Sequence, residues 1–173
     1  MTRRAEAAAA RLLAEHAVTG PPVDVEAIAK AEGVLVVRRR FEDGDVSGLL
    51  FRSGDHHVIG VNSAHPRARQ RFTIAHEVGH RELHPGREII LDVPVRVNLR
   101  DKTSSMATDH EEIDANAFAA ALLMPERLVR DQLGRLPSGK QREPDDIAAA
   151  LATVFKVSVS AMNFRLINLG LTS

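Results

Sequence analysis

The sequence predicts an α+β fold in which a small antiparallel sheet packs against a bundle of helices. The chain has 173 residues, of which 44% are hydrophobic and 27% are charged, and these proportions suit one soluble globular core. Three short strand-like runs follow one another between helical patterns. We therefore predict that residues 1–173 form a single domain.

The composition argues against several classes of function. Lys plus Arg and Asp plus Glu both number 23, so the formal net charge is zero. A net charge of zero gives no indication of binding to nucleic acid or to an anionic membrane. Cysteine is absent, which excludes disulfides, thiol nucleophiles and cysteine-based zinc sites. Charged residues interrupt the alanine-rich start, and no stretch reaches the roughly 18 to 20 apolar residues of a membrane span. We expect a cytoplasmic protein that binds neither a membrane nor nucleic acid directly.

Helices and strands are predicted in turn along the first half of the chain. An alanine-rich helix is expected over 3–17, and a short helix over 25–32 follows the capping residue Asp24. Turn sequences then separate three strand-like runs, VLVVRRR, DVSGLLFR and HHVIGVN, which predict an antiparallel meander. The next helix is predicted over 67–83, because apolar residues recur there near helical spacing.

The second half of the chain is predicted to be mainly helical. Pro94 favours an edge position, or a break, in an extended stretch over 88–101. Residues LPSGKQREP form a loop within the domain. The other expected elements are a polar loop over 102–109 and helices over 111–123, 126–133, 145–155 and 158–169.

The helix predicted over 67–83 carries the residues that point to chemistry. His76, Glu77 and His80 form the pattern H-E-x-x-H within AHEVGH. Histidines four residues apart lie on one helix face, so both imidazoles can bind one metal ion while the glutamate lies beside the open coordination position. This is the pattern of zinc peptidases. It predicts His76 and His80 as metal ligands and Glu77 as the general base.

A catalytic zinc site needs a third protein ligand, which we expect from the helix predicted over 111–123. In zinc peptidases with a glutamate ligand, that ligand typically stands four residues before an Asp or Asn that orients a histidine ligand. Glu112 and Asn116 match this spacing. Glu111 and Asp114 remain alternatives, and their other interpretation is a solvated first helical turn, where acidic residues interact favourably with the helix dipole.

The remaining histidines and arginines include candidates for supporting the metal site and for donating a hydrogen bond to the oxyanion. His84 continues the series of His76 and His80, but the outer pair is two turns apart, about 12 Å, so all three cannot bind one ion. We expect His84 to support the site from the helix end. Tyrosine is absent, so the second donor to a developing oxyanion must be a histidine, an arginine or a backbone N–H. The candidates are His84, His110 and Arg100.

A resemblance to a known family supports these assignments. RQRFTIAHEVGHRELH and EEIDANAFAAALLMP resemble the ImmA/IrrE family of zinc metallopeptidases, and the similarity extends over nearly the whole chain, including VIGVN, VNLRD and VFKVSVSAMNFRLINLGL. The resemblance implies a minimal zincin domain, with a thermolysin-like pair of helices over a small sheet. It also implies one zinc ion per chain held by His76, His80 and Glu112, with Glu77 as the base and Asn116 as a supporting residue.

The resemblance also implies a partner. Members of the family typically cleave a regulator, often a helix-turn-helix repressor encoded nearby, and so relieve repression. The expected function is therefore zinc-dependent endoproteolysis of a transcriptional repressor. The chain departs from the family at Asp114, where members often have Glu, and at Arg81 and Glu82, where apolar residues are common.

Two functions of other classes stay open. The closing segment IAAALATVFKVSVSAMNFRLINLG reads like a helix-turn-helix and would then bind DNA. Its presumed recognition helix has only Arg165 as a charged residue, whereas phosphate binding needs several cations. Alternatively, the domain docks on a regulator without cutting it. The run HVIGVN either binds a substrate as an added strand at a sheet edge or pairs within the sheet.

Overall fold

The computed structural model describes residues 3–84, 89–92, 102–136 and 144–172, with the backbone alone for 89–92 and 102–109. It confirms the α+β fold. The elements in chain order are α1 Arg3–Glu15, α2 Val25–Ala31, β1 Val34–Arg39, β2 Gly48–Ser53, β3 His56–Asn62, α3 Arg67–Leu83, β4 Ile89–Asp92, α4 Lys102–Leu123, α5 Glu126–Arg135, α6 Pro144–Phe155 and α7 Val159–Asn168.

The sheet is mixed, so the predicted antiparallel meander is wrong for its first strand. The strand order is β1-β3-β2-β4, with β1 parallel to β3 and the β2–β3 and β2–β4 pairs antiparallel. β2 and β3 form a tight hairpin at Gly54, whose φ of 57° suits glycine. Alternation of side chains identifies a strand but not its neighbour, and the loop over 40–47 lets β1 pair on the far side of β3.

This strand order also decides what the HVIGVN run does. β3 lies between β1 and β2 and is hydrogen-bonded on both sides, so it is not an edge that could accept a substrate strand. β4 lies at one end of the described sheet, in agreement with the edge position expected for the extended stretch, and residues 93–101 of that stretch lie outside the described residues. The alternative in which HVIGVN pairs within the sheet is therefore the correct one.

Helix α3 lies directly against the sheet. A Cβ placed on Gly48 of β2 would come within 2.3 Å of Thr73 Cγ2 and 3.4 Å of Glu77 Oε1. A separation of 2.3 Å is a steric clash, so this close approach of helix and sheet depends on the missing side chain at Gly48. The face of α3 that carries Glu77 is thereby held against β2.

Helix α4 is longer than predicted. The polar stretch over 102–109 was expected to be a loop, but the backbone is helical from Lys102. The stretch contains neither Gly nor Pro, so nothing in its backbone chemistry ends the helix. Polarity alone was the misleading signal, because a polar segment can continue a helix.

The last two helices are joined by a short turn, cross at 110° and are fastened to the start of the chain. Ser158 caps α7 by accepting a hydrogen bond from the Ala161 N–H at 3.1 Å. The guanidinium of Arg165 is fully buried, donates to Glu6 on α1 at 2.6 Å and donates through Nε to the carbonyl of Met124 at 2.9 Å. Because these bonds join α7 to both α1 and the end of α4, the two closing helices pack on the same body as the sheet and α3.

We also compared the described helices with the requirements of a membrane span. None of them is by itself long and apolar enough to cross a membrane, and only the bent pair α6 and α7 meets the measures of length and composition when taken together.

Candidate metal centre

Helix α3 places the H-E-x-x-H residues in the interior. His76, Glu77 and His80 are each no more than 3% exposed, and the imidazole rings of the two histidines are 4.6 Å apart between centroids. The spacing of one helical turn puts both rings on the side of α3 that faces α4. Burying polar rings is unfavourable without strong partners, so this side of the helix is built around an interaction.

Helix α4 approaches α3 closely at Gly79. A Cβ on Gly79 would lie 3.0 Å from Phe118 Cδ1 and 3.2 Å from the backbone of Ala115. Even an alanine side chain would therefore press on α4, and the glycine between the two histidines sets the distance between the helices. This close contact brings Glu112 within reach of both imidazoles.

The donor atoms of the three residues converge on one point. His76 Nε2 and His80 Nε2 are 3.0 Å apart, and each lies 3.2 Å from an oxygen of Glu112. A tetrahedral zinc ion with bonds of roughly 2.0 to 2.1 Å separates its ligand atoms by about 3.3 Å. The observed separations are close to that value, and two nitrogens with a carboxylate are ligands that zinc accepts, so the residues present fit a metal ion.

Asn116 lies behind His76 and orients its ring. Asn116 Oδ1 is 3.1 Å from His76 Nδ1. A carbonyl oxygen only accepts, so the ring donates from Nδ1 and keeps the Nε2 lone pair for the side that faces Glu112. This tautomer is the one that binds a metal through Nε2.

The electrostatics of Glu112 favour a charged ligand. Burial by itself would raise the pKa of this carboxyl, but without a metal ion the hydrogen bonds that His76 and His80 donate when protonated, and the positive charge of the rings in that form, outweigh burial and lower the pKa to about 2. The side chain is 20% exposed, so it is reachable from solvent. Glu112 is thus an anionic donor at neutral pH, as a metal ligand must be.

The other candidates named from the sequence lie outside this cluster. In the described part of the chain, the one group of metal-binding type consists of His76, His80 and Glu112, so neither Glu111 nor Asp114 belongs to it. His84 ends α3, its ring lies 5.8 Å from that of His80, and burial lowers its pKa. The described surface exposes His110, and Arg100 lies outside the described residues.

One supporting residue had no signal in the sequence analysis. Arg52 of β2 donates to the carbonyls of His80 at 2.8 Å and of His84 at 2.9 Å. The His80 carbonyl also accepts the backbone N–H of His84 at 3.0 Å, so Arg52 adds a second hydrogen bond to the last turn of α3 and one to its cap residue His84. Arg52 therefore fastens the end of the helix that carries His80. An arginine in a strand-like run does not reveal which helix end it will meet, so only the structure identifies this role.

Residues 29–167 match a family of peptidases described as the IrrE N-terminal-like domain. The chain belongs to this family. The matched range contains α3, α4 and all three residues of the cluster. The family is one of metallopeptidases, in keeping with the donor set.

Three relatives add detail. The chain is 34% identical over 114 residues, 65% of its length, to the radiation response metalloprotease IrrE of Deinococcus radiodurans. It is 39% identical over 88 residues, 50% of its length, to the radiation response metalloprotease IrrE of Deinococcus deserti. It is 34% identical over 88 residues, 49% of this chain, to the uncharacterized immunity region protein 2 of Bacillus phage phi105. The matches span 31%, 29% and 49% of these relatives, so the chain corresponds to only part of each IrrE protein.

The close approach at Gly79 leads to a testable expectation for Gly79→Ala. The added methyl should displace α4 from α3 and weaken metal binding by about tenfold or more, since a shift of a few tenths of an ångström disturbs all three ligands. Overpacking should lower the free energy of unfolding by about 1–3 kcal/mol, and the better helix propensity of alanine should restore about 1 kcal/mol of it. Metal titration and urea unfolding measure the two effects.

Gly134→Ala is the matched control for this substitution. Gly134 also lies in a helix, but a Cβ there meets nothing within 4 Å. It should stabilise the protein by about 0.5–1 kcal/mol and leave metal affinity unchanged. Equal metal affinity in Gly79→Ala and wild type would show that the helix spacing does not govern the site.

Asn116→Ala tests the orienting contact. Loss of a supporting group behind a histidine ligand typically weakens metal binding by about 10–100-fold, and we expect that range here. Asn163→Ala on α7 removes a similar amide, bonded to Asp145, far from the cluster and should change nothing. The measurement is competition for zinc with a chromophoric chelator. Identical affinities in both variants would contradict the role of Asn116.

Proposed function

We propose that this chain is a zinc-dependent endopeptidase in which His76, His80 and Glu112 hold the ion and Glu77 is the general base. The observation that carries the proposal is the convergence of three residues, whose two imidazole nitrogens and two carboxylate oxygens lie 3.0 to 3.2 Å from one another in neighbouring pairs, beside the buried Glu77. Membership in a metallopeptidase family supports the reaction class. The Deinococcus relatives are named metalloproteases, in agreement with it.

The residues divide the work of hydrolysis between them. His76, His80 and Glu112 would hold a zinc ion, which when bound would lower the pKa of water to about 7 and polarise the scissile carbonyl. Glu77 takes the proton of the attacking water and passes it to the leaving amine, which is why this carboxylate follows His76 directly in the chain. Asn116 keeps His76 in the tautomer that binds through Nε2. The second oxyanion donor is left to His84, His110, Arg100 or a backbone N–H, since the chain has no tyrosine.

We further propose that the substrate is a transcriptional repressor. One relative is an immunity region protein of a phage, and its name supports a connection with repression. The resemblance to the ImmA/IrrE family, whose members cleave helix-turn-helix repressors, points the same way. A regulator encoded beside the gene is the first substrate to test.

Direct binding to DNA is the alternative that the crossing angle of α6 and α7 raises, since 110° is within the range of helix-turn-helix motifs. The single charged side chain of α7, however, is Arg165, and its guanidinium is 0% exposed and paired with Glu6. A recognition helix needs cations that reach phosphates, and this one offers none. We propose instead that α6 and α7 complete the single peptidase domain.

The experiment that tests the function begins with metal. Protein purified without chelator or histidine tag is expected to contain about one zinc ion per chain. The zinc-loaded protein is then incubated with the neighbouring regulator and with a mixture of peptides from a digested proteome, and new termini are identified by mass spectrometry. Chelation should abolish every cut and zinc should restore it. A protein that takes up no zinc when it is added back contradicts the proposal.

A further inference from the structure

A groove of about 680 Å³ opens beside the metal centre, between α3, α4 and α7. Phe72 lines it from α3, one helical turn before His76, and Asn116 lines it from α4. Asn116 also holds His76 Nδ1 at 3.1 Å, so one side chain belongs to both the groove and the site. The groove therefore borders the metal centre, with Asn116 standing between the groove and the ring of His76.

The lining of the groove is mainly apolar. Met124 is fully buried, while Ile113 and Phe164 are 54% and 66% exposed and flank the opening. Large exposed apolar side chains around a concave surface are typical of a site that another molecule covers. The other apolar residues of the lining are Ala68, Phe72, Ala117, Ala120, Val157 and Ala161.

The charges of the groove restrict what can enter it. Among its described lining residues none is acidic, and two are arginines, Arg69 and Arg165. Arg165 is bonded to Glu6, and Arg69 donates to Ser47 at 2.7 Å. A lysine or arginine side chain placed there would lose its hydration without meeting a carboxylate, which is unfavourable. An apolar side chain loses nothing and gains buried area.

The dimensions suit a short polypeptide segment. The α4 wall from Ile113 to Met124 is about 16 Å long at the helical rise. An extended chain of about five residues covers that distance. The groove is thus longer than one side chain and is open along its side.

We propose that this groove binds the substrate segment next to the scissile bond and selects bulky apolar side chains, aromatic or aliphatic, over basic ones. The inference rests on the proposed peptidase function and adds the substrate class to it. Phe72, Ile113, Ala120 and Phe164 are its specificity-determining residues. Truncation of a bulky apolar side chain at the preferred position should reduce cleavage by about tenfold or more.

A binding experiment tests the groove without relying on catalysis. Zinc-loaded protein with 13C-labelled alanine methyls is titrated with N-acetyl-phenylalaninamide and, separately, with N-acetyl-lysinamide. We expect the first compound to shift the methyls of Ala117, Ala120 and Ala161 and the second to leave them in place. Ala10 and Ala14 on α1 line a different hollow, of about 530 Å³, and serve as the internal control. Equal shifts in both hollows, or with both compounds, would overturn the proposal.

Two variants then connect the groove with cleavage. Ala120→Phe fills the groove, and Phe164→Ser removes an exposed flanking side chain without disturbing the interior. Both should reduce the preference for bulky apolar residues in the peptide mixture by about tenfold while retaining one zinc ion per chain. Ala14→Phe makes the same alanine-to-phenylalanine change on α1 and should leave the preference as in wild type.

The outcomes separate the two proposals. If the methyl shifts are selective but the protein cuts no peptide, the groove binds apolar side chains as proposed and the peptidase function is contradicted. Zinc-dependent cuts with no apolar preference, or with one that neither variant alters, would support the function and overturn the groove.

Discussion

Glu77→Gln is expected to leave zinc bound and to reduce peptide hydrolysis by about 10²–10⁴-fold, the usual contribution of a general base. The amide has almost the same volume as the carboxylate, so the buried position beside β2 is preserved. It cannot accept the proton of the attacking water, so hydrolysis becomes slow at that step. The measurement is the rate of appearance of cleaved repressor or peptide at saturating zinc.

Glu126→Gln serves as the control for this substitution. Glu126 is exposed on α5 and pairs only with Arg130 four residues later, so the same chemical change there should not alter the rate. Hydrolysis by Glu77→Gln at the wild-type rate would place the base elsewhere. Loss of zinc from Glu77→Gln would mean that this residue helps to hold the ion.

His80→Ala is expected to lose zinc almost entirely. A residue that only supports a ligand contributes about 10–100-fold to affinity, and a ligand should contribute more than that. Removing the ring also takes away one of the three convergent donors, because His80 Nε2 lies 3.0 Å from His76 Nε2 and 3.2 Å from Glu112. Metal analysis after dialysis and competition with a chelator measure the loss.

Stability provides a second readout for the same variant. A ligand at a hundred times its dissociation constant stabilises the folded state by about 2.7 kcal/mol. Zinc should therefore raise the unfolding temperature of the wild type and leave that of His80→Ala unchanged. His84→Ala removes the next histidine of the same series, which lies outside the cluster, and should retain zinc and its stabilising effect. A similar zinc response in both variants would contradict the assignment of His80.

Glu77→Gln and His80→Ala affect different parts of the proposed mechanism. Glu77→Gln tests the chemical step with the metal in place, whereas His80→Ala tests the metal with the base in place. If the chain only binds a regulator, Glu77→Gln should leave that binding unchanged, and His80→Ala should weaken it only by destabilising the fold. The pair of experiments therefore distinguishes a peptidase from a docking module that shares its residues.

Short-range patterns predicted a large part of the fold. The bounds of α3 agree with the prediction over 67–83, and Asp24 caps a helix as expected. Capping and helical spacing depend on residues within a few positions of one another, which a sequence displays directly. The parallel pairing of β1 was missed because no local pattern identifies a strand's neighbour, and the helix over 102–109 was missed because its polarity was interpreted as a loop.

The sequence by itself determined the helix that carries His76, Glu77 and His80 on neighbouring positions, because helical geometry alone relates residues four apart. Only the tertiary structure decided that Glu112, rather than Glu111 or Asp114, meets the two imidazoles. That choice depends on the rotation and distance of α4 against α3, which the small contact at Gly79 sets.

The burial of Arg165 and the apolar groove also depend on tertiary structure. Arg165 is the one charged residue of the closing helix, and the structure buries it against Glu6, which lies at the other end of the chain. The apolar groove combines side chains of α3, α4 and α7 that no spacing relates. Both arise from packing between distant segments, and packing depends on the whole chain rather than on any one stretch of it.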